Sequence, residues 1–220
     1  MRRKTSRALS TEPWHSPAWQ AQSLLLAYPD EQFEQHLALV GRVAAVLPEP
    51  VARPLLRFTT QAEQTAIADL ATAYVATFDH RKRCCPYLTY YAHGDTRKRG
   101  MALLQLKQVY AKGGWRLGDD ELPDHLAVVL EFAATDPPAG HRLLIEHRAG
   151  LELLRLALTE DCSPWAAVLE SVSATLPALV GDEHEAVLRL AAEGPPEEEV
   201  GLDPYASAVF LPDPVVGGPR

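Results

Sequence analysis

Residues 30–48 read DEQFEQHLALVGRVAAVLP, placing Phe33, Leu37, Val40, Ala44 and Leu47 at successive spacings of four, three, four and three. That interval lays five apolar side chains along one stripe of a 3.6-residue helix. The segment therefore predicts an amphipathic helix with Asp30 as its cap and Pro48 as its stop. The same period recurs on either side. Ser16-Pro17 has the form of a cap followed by a first-turn proline, opening a run through Trp19 and Leu24 to Pro29.

Beyond Pro48, residues 50–58 read as a short proline-interrupted connection. Thr60-x-x-Glu63 has the form of a capping box ahead of Ile67, Leu70, Tyr74 and Phe78, predicting a helix of about five turns ending at Asp79. A short piece with Tyr87, Leu88, Tyr90 and Tyr91 is set between breaks at Cys85-Pro86 and His93-Gly94. Asp95 or Thr96 then caps a helix that Gly113-Gly114 ends. Leu122, Leu126, Val129 and Ala133 mark the next helix, Leu143, His147, Leu151, Leu154 and Leu158 another. Trp165, Val168, Val172 and Leu176 follow Ser163-Pro164, and a last helix runs from Asp182 to about Glu193.

Leu and Ala number 32 each and Ile only two, which favours helix over strand. No alternating apolar run reads as a strand. The expectation is an all-α protein: one helical domain of about eight to ten helices over residues 14–193, preceded by a flexible start over 1–13. Residues 194–220 are acidic and proline-rich without periodicity, so a poorly ordered tail is expected there, with Tyr205–Leu211 as a segment able to dock locally.

With 47% apolar and 23% charged residues the chain has the balance of a globular protein. Nothing approaches eighteen consecutive apolar residues, and the basic start with Arg2 and Arg3 lacks the apolar region of an export signal. A cytoplasmic location without membrane insertion is the expectation. Three cysteines, two of them adjacent, do not make a disulfide framework. A net charge of −8 argues against a general nucleic-acid partner. The charge is unevenly placed: residues 79–107 carry seven Lys or Arg, residues 182–203 eight Asp or Glu.

Catalytic signatures are missing: there is no phosphate loop, HExxH pair, CxxC or nucleophile elbow. Glu12-x-x-His15 has the spacing of a di-iron ligand pair but lacks a second such pair, and reads as surface. His141 and His147, six apart, do not align on a helix and read as a surface and a semi-buried histidine. Cys84-Cys85 beside Arg81, Lys82 and Arg83 admits two readings. Neighbouring cations favour thiolates, hence redox or metal chemistry with His80 and His93; otherwise two small side chains pack under a loop.

Two features suit a protein interface. Tyr87, Tyr90 and Tyr91 with Asp95, Arg97 and Arg99 combine rigid aromatic area with bidentate donors. Asp124-His125 opens a helix, either as an outward-facing contact or as a simple cap with a solvated histidine. Interleaved basic and aromatic residues also suit single-stranded nucleic acid, which the net charge ranks lower.

The stretches YVATFD (74–79), YLTYYAHGDTRKRGMAL (87–103) and ELPDHLAVVLEF (121–132), in that order, resemble the NarJ family of nitrate reductase assembly chaperones, within the wider TorD-like group. The resemblance runs from about Leu24 to Leu176, and Cys84-Cys85-Pro86 departs from the family pattern. It implies a TorD-like helical fold, no enzymatic activity and no cofactor of its own. It implies binding to the N-terminal peptide of the catalytic (alpha) subunit of nitrate reductase, so that the molybdenum cofactor is inserted before membrane attachment. It also brings Tyr87, Tyr90, Tyr91, Asp95, Arg97, Arg99, Asp124 and His125 to one partner-binding face. The alternative reading is a helical metal- or redox-sensing protein using Cys84 and Cys85.

Overall fold

The computed structural model describes residues 11–118, 121–179 and 181–193. The expected tail over 194–220 and residues 1–10 of the expected flexible start lie outside them. Among the described residues the chain is helical, without a strand: α1 (His15–Leu26), α2 (Phe33–Ala44), α3 (Glu49–Glu63), α4 (Ile67–Phe78), a 3₁₀ turn (Lys82–Cys84), α5 (Leu88–His93), α6 (Arg97–Lys112), α7 (Leu126–Thr135), α8 (Pro137–Glu146), α9 (Arg148–Glu160), α10 (Trp165–Ala174) and α11 (Asp182–Glu193).

The all-α expectation holds, with two more helices than the spacing argument placed. One is α3. Its buried Val51, Leu55, Phe58 and Ala62 keep the four-three-four interval, but Pro50 and Pro54 conceal it. Pro50 lies in the first turn, where a missing N–H costs nothing, and Pro54 follows one turn later. Thr60 therefore does not open a helix; its hydroxyl donates to the Leu56 carbonyl at 2.8 Å inside α3. Helix α4 starts only at Ile67, after Ala66, and is 12 residues long.

The other addition is a break at His147, where one predicted helix becomes α8 and α9. Asp136 ends α7 and caps α8, its carboxylate accepting from the Ala139 N–H at 3.2 Å. Gly140 lets α8 lie against α7, since a Cβ there would collide with Ala133. Caps at other starts also differ from expectation. Asp30 accepts from the Gln32 N–H at 2.9 Å just ahead of α2, and α1 begins at His15, one residue before Ser16.

Helix α1 is central, packed on α7, α2 and α10, while α3 covers α2 and α10. Two fully buried tryptophans tie the layers. The Trp19 indole donates to Thr175 Oγ1 at 2.9 Å, and that of Trp165 to the Leu25 carbonyl at 3.1 Å. Both polar tips are satisfied, so the rings contribute their apolar area without an unpaired donor. Helix α9 joins α10 to α11 and α5, bringing the aromatic segment onto this core.

Candidate partner-binding site

Two backbone bonds bring the aromatic segment to the Asp124 turn. The Leu88 N–H donates to the Asp124 carbonyl and the Leu126 N–H to the Pro86 carbonyl, both at 2.9 Å, making an isolated antiparallel bridge between Tyr87 and His125. Asp124 is thereby fully buried. Its carboxylate accepts from the Thr89 hydroxyl and from Arg99 Nη2, the latter at 3.3 Å, and Oδ1 has no partner among the described residues. Arg99 also donates to Thr89 Oγ1 at 3.3 Å and pairs with Asp95 at 3.2 Å. Its guanidinium carbon stands 5.4 Å from the centre of the Tyr87 ring, which meets the His125 ring edge-on at 5.3 Å.

These contacts decide between the two readings of the Asp124-His125 turn, and neither holds as stated. The capping group is His125, whose Nδ1 accepts from the Ala127 N–H at 3.3 Å. Asp124 is a buried counter-charge for Arg99, and His125 is half-buried rather than solvated. Burial lowers the His125 pKa below its ordinary value, against the opposing charges of Asp124 and Asp79. A neutral ring is what the cap requires.

Of the eight residues singled out, Tyr87, Asp95, Arg99, Asp124 and His125 thus form one cluster. Tyr91 is a core residue: its hydroxyl donates to the carbonyls of Arg83 and Cys85, at 3.1 and 2.9 Å, and burial raises its pKa. Tyr90 is half-buried and faces elsewhere, into a groove of about 400 Å³ with Lys82, Leu153, Leu156 and Leu190. Arg97 is on the exposed face of α6.

Beside the cluster lies a larger open groove of about 490 Å³ between α1, α4 and α7. Leu24, Tyr28, Tyr74, Tyr87, Leu122 and His125 line it, and Glu121 and Glu131 supply its carboxylates. Tyr28 meets Tyr74 edge-on at 5.6 Å and is exposed, as is Leu122. The Glu131 pKa is raised, first by burial and then by the charge of Glu121. Sequence reasoning missed Tyr28 and both carboxylates. The available signal was Tyr28 itself, an aromatic ring at the end of α1 next to Pro29.

The cysteine alternative finds no support. Cys84 is fully buried and its thiol donates toward Asp161 at 3.5 Å; burial, more than Asp161, pushes it up to about 11. Burial also raises Cys85. The nearby cations do not activate these thiols because Arg81 and Arg83 both pair with Asp161. Among the described residues no group of three or more His, Cys, Asp or Glu is placed to hold a metal ion.

Among the other described histidines, His15 and His141 are internal and His147 is half-buried, whereas His80 is exposed. His15 is buried, its Nδ1 accepting from the Glu12 N–H at 2.8 Å and its Nε2 3.2 Å from the Thr175 carbonyl. His141, expected at a surface, is buried against His15 and Trp19 with ring centres 5.8 and 5.7 Å away. His147 is half-buried at the α8–α9 break. No helix among the described residues is long and apolar enough to cross a membrane.

Among the described residues the chain is thus a helical body with an aromatic, acid-edged groove beside a locked turn. Its fold is shared with a protein from Archaeoglobus fulgidus described as a redox enzyme maturation protein, with a TM-score of 0.56 and 24% identity over 75% of this chain and 95% of that one. The chain belongs to the nitrate reductase delta subunit family, whose match covers residues 44–170. Bacillus subtilis NarJ, described as a nitrate reductase molybdenum cofactor assembly chaperone, is 33% identical over 161 residues, covering 71% of this chain and 86% of NarJ. The nitrate reductase-like protein NarX of Mycobacterium tuberculosis is 40% identical over 163 residues, 74% of this chain. Those residues span about a quarter of NarX, 24% of its length.

Proposed function

We propose that this chain is a non-enzymatic, cytoplasmic assembly chaperone. It binds the N-terminal peptide of the apo catalytic subunit of nitrate reductase, supporting molybdenum cofactor insertion before membrane attachment. The naming of Bacillus subtilis NarJ supports the class of client. The observation that carries peptide binding is the groove between α1, α4 and α7, apolar along Leu24, Tyr28, Tyr87 and Leu122 and edged by Glu121 and Glu131. Such a trough accepts the apolar face of an amphipathic helix. Its carboxylates favour a peptide with basic residues beside that face.

The polar contribution thus differs from a basic docking patch, because Arg99 is already engaged by Asp95, Thr89 and Asp124. Burial of about 400 Å² of apolar surface contributes of order 10 kcal/mol gross, much of it offset by ordering the peptide. Micromolar to nanomolar affinity follows. Calorimetric titration with a peptide copying the first fifteen or so residues of the cognate catalytic subunit tests the reading. The expected result is saturable binding with a negative heat-capacity change, weakened by Tyr28→Ala. Absence of heat and of competition at high micromolar peptide overturns it.

A further inference from the structure

Helix α6 carries five Lys or Arg and no acidic residue among its 16 positions, and only Leu106 and Tyr110 of its side chains are buried. Met101 and Leu104 are 61% and 48% exposed, three residues apart on the face turned away from Leu106. Lys107 flanks that face on one side, Lys98 and Lys112 on the other, all three exposed and in no ion pair among the described residues. A cationic rim thus surrounds a small apolar centre on a convex helix. The 400 and 490 Å³ grooves take no residue from it.

We infer that the outer face of α6 is a docking surface for an anionic membrane, holding the protein flat on the lipid without insertion. Lysine is depleted from protein–protein interfaces, where arginine is preferred, whereas its compact charge on a long apolar stem suits phosphate headgroups above acyl chains. The five basic residues of α6 set this helix apart from residues 182–203, with eight acidic residues and one arginine. A chain of net charge −8 therefore needs a locally basic face such as that of α6 to approach an anionic surface. Met101 and Leu104 then enter the headgroup boundary while the lysines spread to the phosphates.

Co-sedimentation of the full chain with vesicles of 30% phosphatidylglycerol in phosphatidylcholine, against pure phosphatidylcholine, tests this directly. Binding to the anionic vesicles at low salt, released by 0.5 M salt, is the expected result. Lys107→Gln with Lys112→Gln lowers partitioning roughly thirty-fold. Met101→Asp lowers it further, and Arg53→Gln on α3 leaves it unchanged. These positions are exposed, so folding is retained, and titration of the client peptide remains a separate readout of the groove. Equal binding to both vesicle types, or to neither, overturns the proposal. So does retention of α6-dependent binding to polyglutamate without any to vesicles, which identifies an acidic protein partner instead.

Discussion

Arg99 Nη2 stands 3.3 Å from Asp124 Oδ2, across 25 residues of sequence and with Asp124 wholly out of solvent. The pair fastens the first turn of α6 to the turn that opens α7, and it seats the guanidinium over Tyr87. An Asp-His turn and a basic cluster that read as outward contacts are therefore joined to each other. The proposed contact surface is therefore the Tyr28 and Leu122 side of the groove.

Asp124→Asn is accordingly expected to destabilise the fold by about 1–3 kcal/mol, because the amide keeps the shape and withdraws the charge facing Arg99. A cap would have tolerated the change, since Asn caps as well as Asp. Thermal unfolding measures it. An unchanged melting temperature would show that the pair contributes nothing.

Tyr91 and Gly150 form a matched pair. A Cβ built on Gly150 would lie 2.8 Å from Tyr91 Cβ, so α9 approaches α5 only because residue 150 is glycine. Gly150→Ala, which in an exposed helix gains roughly 1 kcal/mol, is expected to destabilise here. Tyr91→Phe should cost about 1 kcal/mol through the bonds to Arg83 and Cys85. Denaturant midpoints decide both. A stabilised Gly150→Ala variant would place the two helices further apart.

How much of this was legible depends on what set each feature. The stripe from Phe33 to Ala44 is local, and α2 follows from its spacing alone. Helix α3 has as regular a stripe, yet its two prolines obscured it. Pro50 sits in the first turn, where no N–H is needed, while Pro54 lies inside the helix and is tolerated there because the buried face from Val51 to Ala62 holds the segment helical. The break at His147 leaves no trace, since Leu143, His147 and Leu151 stay in phase across it. For the site, the aromatic and acidic residues were visible as types. Their burial was not, because a charge such as Asp124 goes inside only when a distant Arg99 meets it, and pairing over 25 residues has no spacing rule.

Thiol reactivity separates the cysteines. Burial raises Cys84, to about 11, and Cys85, while Cys162 is exposed in a left-handed turn. In the folded protein a soluble aromatic disulfide at pH 8 should therefore modify Cys162 first, with Cys84 reacting only on unfolding. Peptide mapping after a timed reaction gives the order. Fast modification of Cys84 would restore the redox alternative.

Acid should destabilise the fold through its buried histidines. Both ring nitrogens of His141 lack a partner among the described residues and the side chain is 3% exposed, so protonation in place leaves a cation without solvent. Burial first, and then the neighbouring His15, lower its pKa below the ordinary 6.5; burial also lowers His125 and His147. The unfolded chain, with ordinary histidines, then binds more protons than the folded one just below pH 6.5, so stability rises with pH there. The contribution is complete above the unfolded value and is lost as pH falls from it toward the depressed folded values. Melting temperature should therefore fall between pH 7.5 and 5.5, above the range where carboxylates titrate. His141→Phe keeps a ring against Trp19 and removes the titration, so its curve should be flatter whatever its absolute height. Parallel curves for parent and variant would show that His141 takes no part in the acid response.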